Sequence, residues 1–376
     1  MGSSIPAIKI GFCFLAHQAH IRHQLPIAAQ LSFFEEYAVE LIVTTQATFS
    51  DLTNLLLQYP AHNCTIRFIS GTKIKTWLGR LKGRLYPNIR NVINNNKALF
   101  LSYDVLVTPH ANLDAVFKLD SNRKIKYVCT FHGAGDGDIG FDKAFSAYDL
   151  LLTPGTDVDE RLRSERVLHG KNTSIIIGYP KYEMLEVFSG NLFDNDNLVF
   201  VYNPHYAKEL TSWNMFGRDV MDFFAKNSHL NLVFAPHIKV FDGRKPSALN
   251  KYHQYPNIII DVCSNKLMDA TYTKAADVYI GDVSSQVYEF LYFGLKPTIF
   301  LNGFNKKHWE GSPSLQMWKT GTVVDETGGF SQAIEFAEQS HIDFINVQRD
   351  LIERKFSRTD VRPGLRGARA IIGFMT

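Results

Sequence analysis

The chain has 376 residues, 45% of them hydrophobic and 20% charged, with a formal net charge of +3. That is an ordinary globular composition, long enough for two domains, and the charge is too mild to argue for a nucleic-acid partner. The four cysteines, Cys13, Cys64, Cys129 and Cys263, show neither CxxC pairing nor zinc spacing, so a reduced, cytoplasmic setting is expected.

Strand-like and helix-like runs alternate along the whole chain, which predicts an α/β protein with mostly parallel sheets. The N-terminus, MGSSIPAIKIGFCFLAH, lacks a basic leader and a long apolar region, so it reads as a first strand over 7–15 rather than a signal peptide. No apolar run is long enough to span a membrane. Gln24–Glu36 carries Leu25, Ala28, Ala29 and Leu31 at helical spacing. Further strands are expected at 39–44, 65–69, 104–108, 125–131, 149–153 and 173–177. The segment 181–197 turns polar and ends in DNDN, which marks a linker between a first domain, 1–180, and a second, 198–345. The second domain restarts with strands at 198–204, 231–236, 257–262, 277–282 and 297–301. A helix is expected from Phe330 to about Arg354, and the tail, 346–376, is expected to pack back on the first domain.

Five of the expected strands end on a histidine: His17, His110, His132, His205 and His237. Ligands of open parallel sheets bind beyond the carboxyl ends of the strands, and histidine moves protons near neutral pH. These strand ends therefore predict a catalytic cleft.

Four segments add detail. In AADVYIGDVSSQVYEFLYFGLKPTIFL (275–301), Ser284 and Ser285 fall where a helix begins, so hydroxyls and free backbone N–H groups form an anion site. Glu289 lies one turn further on, placed to accept bonds from ribose hydroxyls; the competing reading is a simple helix cap with a surface Glu. In CTFHGAGDGDIGF (129–141), His132 ends a strand, and Gly133 and Gly135 let the backbone approach an anionic ligand closely. YNPH (202–205) and FAPH (234–237) are both strand, proline, histidine, with Pro236 fixing the exit of His237 and Lys239 adding a positive group. His17, His20 and His23, three apart, have no carboxylate or thiolate at ligand spacing, so His17 and His20 suit acceptor or phosphate contact rather than a metal. Residues 71–92 alternate basic side chains with Trp77, Leu78, Leu81, Leu85 and Tyr86, a pattern that suits an anionic membrane surface or a plain amphipathic helix.

The order His132-Gly133, GYPK at 178–181, strand-Pro-His at His237 and DVSSxxxE at 282–289 resembles the CDP-glycerol glycerophosphotransferases, the teichoic acid polymerases and primases. The resemblance covers roughly 125–305. It implies a GT-B architecture, with two Rossmann-like domains facing a cleft, the acceptor side first and the nucleotide-donor side second. It implies transfer of a polyol phosphate from a CDP-activated donor to a hydroxyl of a glycan or lipid-linked acceptor in cell-surface polysaccharide or glycolipid synthesis. No metal or cofactor is implied, and the enzyme would be cytoplasmic or peripheral on the inner face of the membrane. By this resemblance His132 and His237 are the catalytic pair, one as general base and one steadying the phosphoryl group. Asp282, Ser284 and Ser285 would sit at the donor phosphates. The chain departs from the family at NPHY, where His205 is an addition, at Lys181 and at Glu289. Two alternatives stay open: a GT-B glycosyltransferase using a UDP- or CMP-sugar, and a non-catalytic nucleotide- or glycan-binding protein.

Overall fold

The structure is a computed structural model that describes residues 7–16, 18–72, 86–110, 112–131, 143–185, 191–241, 246–267, 269–282, 284–303 and 313–376. It divides into two compact units, one running to Met184 and including Glu353–Thr376, the other Leu185–Ile352.

The first unit is built on seven parallel strands: β1 (Ile8–Phe14), β2 (Tyr37–Val43), β3 (Thr65–Phe68), β4 (Val105–Thr108), β5 (Lys126–Thr130), β6 (Leu150–Thr153) and β7 (Thr173–Ile176), in the order β3-β2-β1-β4-β5-β6-β7. Phe12 is in register with Leu41 on one side and Val107 on the other. These three share one core face with Ile10, Phe14 and Val43, while Cys13, Ile42 and Leu106 belong to the opposite core. Burial on both faces explains why β1 reads as a nearly continuous apolar run rather than an alternating one.

The C-terminal helix Pro363–Met375 packs on the helix Ile21–Leu31. A Cβ on Gly367 would sit 2.7 Å from Ile27, so only glycine permits this approach. The GYPK segment braces the same packing. Gly178 takes φ +83°, in the left-handed region, and Tyr179 behind it is buried against His23, Tyr182 and Phe356.

The second unit carries six parallel strands: β8 (Val199–Asn203), β9 (Asn231–Phe234), β10 (Ile258–Ile260), β11 (Val278–Gly281), β12 (Thr298–Leu301) and β13 (Thr322–Val324), ordered β10-β9-β8-β11-β12-β13. Its core joins Phe200, Tyr202, Leu232, Phe234, Val278 and Ile280 to Phe216, Val220 and Phe224 of the helix Trp213–Lys226. β13 is absent from the sequence reading because its TVV carries only two apolar residues, whereas the equally short β10 is three consecutive isoleucines. The single helix expected from Phe330 is instead broken into Phe330–Glu335, Ala337–Ser340, a short turn His341–Asp343 and Ile345–Phe356. Where the second piece ends, the Ser340 hydroxyl and its backbone N–H both donate to the Phe336 carbonyl, each at 2.9 Å.

Among the described residues, no helix is long and apolar enough to cross a membrane. Most of the basic segment 71–92, residues 73–85, lies outside the described residues.

Candidate active site

Each sheet reverses its strand order once, between β1 and β4 in the first unit and between β8 and β11 in the second. Such switch points open a crevice at the carboxyl ends of the strands. Both crevices are lined by histidines.

In the second unit, β8 exits through Pro204-His205 and its neighbour β9 through Pro236-His237. The His237 N–H donates to the Pro204 carbonyl at 3.1 Å, so the pairing of the two strands continues to the histidine itself. The two rings lie 5.9 Å apart between centroids. Tyr206 packs on both, with centroids 4.5 Å from His205 and 4.5 Å from His237, and the Lys239 ammonium sits 4.9 Å over the Tyr206 ring.

The backbone sets the protonation of both rings. His205 Nδ1 accepts from the Ala207 N–H at 3.0 Å, and His237 Nδ1 accepts from the Lys239 N–H at 3.2 Å. A ring nitrogen that accepts carries no proton, so each neutral imidazole holds its proton on Nε2. Burial, helped by the neighbouring His205 and Lys239, pushes His237 down to about 4, and burial also lowers His205. At neutral pH the strand ends therefore present two uncharged N–H donors beside the Lys239 cation.

Across the switch point, Ser284 is the N-cap of the helix Ser285–Phe293, and its Oγ accepts from the Gln286 N–H at 3.2 Å. Asp282, just before it, is fully buried. Glu289 is also buried and accepts a bond from the Thr273 hydroxyl at 3.1 Å. Pro236 is buried.

In the first unit, a short turn Gln18–His20 follows β1, and His110 follows β4. His110 Nε2 and His20 Nδ1 are 3.0 Å apart, with the rings edge to face. The Tyr148 hydroxyl donates to the His110 carbonyl at 2.8 Å and holds this exit in place. His17, His132, Gly133 and Gly135 fall outside the described residues, as does the side chain of Ser285.

No family model matches the sequence, and no curated protein matches it either. Solved structures do. A wall teichoic acid polymerase, TagF, in a variant soaked with CDPG, is 14% identical, with a TM-score of 0.61 over 98% of this chain and 88% of that one. A putative UDP-N-acetylglucosamine 2-epimerase from Listeria monocytogenes is 10% identical, with a TM-score of 0.63 over 98% and 96% of the two chains. A UDP-GlcNAc 2-epimerase from Neisseria meningitidis, bound to UDP-GlcNAc, is 11% identical, with a TM-score of 0.60 over 99% of each chain.

The chain has the GT-B fold. At 10–14% identity these likenesses speak to the fold. Within this GT-B frame the structure brings His205, His237 and Lys239 together at one strand edge, and His20 together with His110 at another. Sequence reasoning counted His110 among the five strand-ending histidines but gave it the weakest case. Its signal was there: TPH at 108–110 is a third strand-proline-histidine exit, matching NPH at 203–205 and APH at 235–237.

Proposed function

We propose that this protein transfers a glycerol phosphate, or another polyol phosphate, from a CDP-activated donor to a hydroxyl of a glycan or lipid-linked acceptor, in cell-surface polysaccharide or glycolipid assembly. The observation that carries the reading is the state of the second-unit histidines. Both hold neutral rings with the proton on Nε2, next to Lys239. A neutral donor with its other nitrogen already engaged is poorly suited to be a base. It is well suited to hydrogen-bond phosphate oxygens as charge develops on them.

In this reading the acceptor oxygen attacks the phosphorus that bears glycerol. The bond from that phosphorus to the oxygen bridging it to CMP breaks, and CMP leaves with the bond's electrons. The Nε2–H of His237 and the Lys239 ammonium stabilise the charge on the phosphoryl and leaving oxygens, and the helix start at Ser284 and Ser285 holds the nucleotide phosphates. His132, by family resemblance, takes the proton of the attacking hydroxyl. Gly133 and Gly135 let the backbone come close to the same phosphates. The reaction would run in the cytoplasm at the inner face of the membrane, with residues 71–92 as the contact.

A GT-B glycosyltransferase with a UDP- or CMP-sugar donor is the second reading, favoured by the likeness to the UDP-GlcNAc 2-epimerases. A thermal-shift series with CMP, CDP, CDP-glycerol, UDP and UDP-sugars separates the two, since a ligand bound only by the folded state raises its stability. Stabilisation by CDP-glycerol, followed by CMP release in the presence of a glycan acceptor, is expected. A preference for uridine nucleotides would overturn the first reading. Binding without turnover of any donor would leave the non-catalytic alternative.

A further inference from the structure

Asp282 stands at the switch point of the second sheet, at the end of β11, with no exposed surface. One of its oxygens does two jobs. Oδ2 accepts the His205 N–H at 2.7 Å and the Ser212 N–H at 2.9 Å. Its other oxygen, Oδ1, has no hydrogen-bond partner among the described residues. His205 opens the loop that leaves β8, and Ser212 closes it at the start of the helix Trp213–Lys226. A single carboxylate oxygen on β11 thus ties down both ends of the loop 205–212.

The surroundings make this a fixed point. The Tyr202 and Ser212 hydroxyls bond each other at 2.9 Å. Tyr279 donates to the Asn203 side-chain oxygen at 3.0 Å, and the Asn203 amide donates to the Ala235 carbonyl at 2.6 Å. These bonds pin the ends of β8, β9 and β11 to one another. The loop held by Asp282 carries Tyr206, which packs on both His205 and His237.

We propose that Asp282 is a positioning residue: its carboxylate sets the 205–212 loop and, through it, the geometry of the His205–Tyr206–His237 cluster, without touching the nucleotide. The burial of the carboxylate separates this role from that of a direct phosphate or metal contact. The inference rests on the reading of that cluster as the donor site.

Burial pushes the Asp282 carboxyl up to about 7, against the Ser212 hydroxyl and the His205 and Ser212 N–H groups, which lower it. The groups around it are the His205 and Ser212 N–H groups, the Tyr202 and Tyr279 phenols and, through Tyr279, Glu289. A protonated acid is a weaker acceptor than a carboxylate. The two loop amides should therefore sense its titration together.

The test is an amide and imidazole NMR titration of protein labelled with ¹⁵N at histidine and serine. In the wild type, the His205 and Ser212 amide protons should move upfield in step as pH falls through about 7. That shared step should vanish in D282N. D282N keeps an acceptor oxygen, so it should leave the His205 and His237 imidazole signals close to their wild-type positions, whereas D282A should displace both. D282A should also lower the transfer rate about tenfold or more, with D282N retaining clearly more activity, since small misplacements of reacting groups are costly. The inference is overturned if the two amides do not titrate together, if the step persists in D282N, or if folded D282A keeps the imidazole signals and the rate. Should D282A not fold, the comparison of wild type with D282N decides alone. Failure of the donor-site reading looks different: H237A would keep full transfer activity while the amide titration still tracks Asp282.

Discussion

His20 and His110 come from opposite sides of the switch point in the first sheet and meet through one nitrogen each, Nδ1 to Nε2, at 3.0 Å. One ring must donate and the other accept, so each fixes the tautomer of its partner. We predict that H20A and H110A each raise the KM for acceptor several-fold while the KM for the nucleotide donor changes little. The double variant should be no worse than the poorer single one, because the pair acts as a unit. Steady-state kinetics with both substrates varied checks this. Full additivity, or an effect on the donor alone, would remove the pair from the acceptor side.

The depressed pKa of His237 predicts a pH dependence of stability. Its folded value of about 4 lies below the ordinary value of 6.5, so the unfolded chain binds the extra proton between those limits. Stability from this group is complete above about 6.5 and is lost as pH falls toward 4. After allowance for its partial exposure, the loss is on the order of 2 kcal/mol. Urea midpoints at pH 7 and pH 5 should fall further for wild type than for H237N. Parallel slopes would sink the assignment.

Glu183 links three parts of the first unit. It accepts the Tyr59 hydroxyl at 3.1 Å and the Gly364 N–H, at the start of the C-terminal helix, at 2.8 Å. Burial raises its pKa, so stability from this group is complete below the ordinary carboxyl value of 4.5 and is lost as pH rises from there through the folded value. E183A strands two donors and should cost roughly 1–3 kcal/mol, whereas E183Q, which keeps bonding groups at both positions, should cost less than half of that. Calorimetry of the two variants at pH 7 gives the answer. An equal loss in both would mean the charge, not the hydrogen bonds, matters.

G178A should destabilise the first unit by about 1–2 kcal/mol, because the left-handed backbone at this position strains any residue with a Cβ. The added methyl would also meet Pro363 at 3.1 Å. Hydrogen exchange should report the loss most strongly in the helix Pro363–Met375. A change confined to the second unit would contradict it.

The parallel sheets were legible because strands buried on both faces, such as β1 and β4, are written as unbroken apolar runs between helical periods. The short strand β13 and the broken helix after Phe330 were not, since TVV carries only two apolar residues and apolar spacing does not record where a helix is interrupted. At the site, the strand-ending histidines stood out, and the NPH and APH exits were read as a pair. His110 was read as a strand end but not joined to that pair, because it lacks a glycine loop or a basic neighbour to draw attention to it.

By itself the sequence determined the α/β alternation, the strand-end placement of His110, His205 and His237 and the helix start at Ser284, because all three are local: they follow from side-chain period, proline and capping. Only the tertiary structure decided which histidines are partners and what state they hold. Strand order puts β8 between β9 and β11, so residues far apart in the chain, His205, His237 and Asp282, become neighbours. Burial then keeps the two imidazoles neutral and the Asp282 carboxyl near the point of titration. Desolvation depends on what folds over a group, and that is a property of the packed chain.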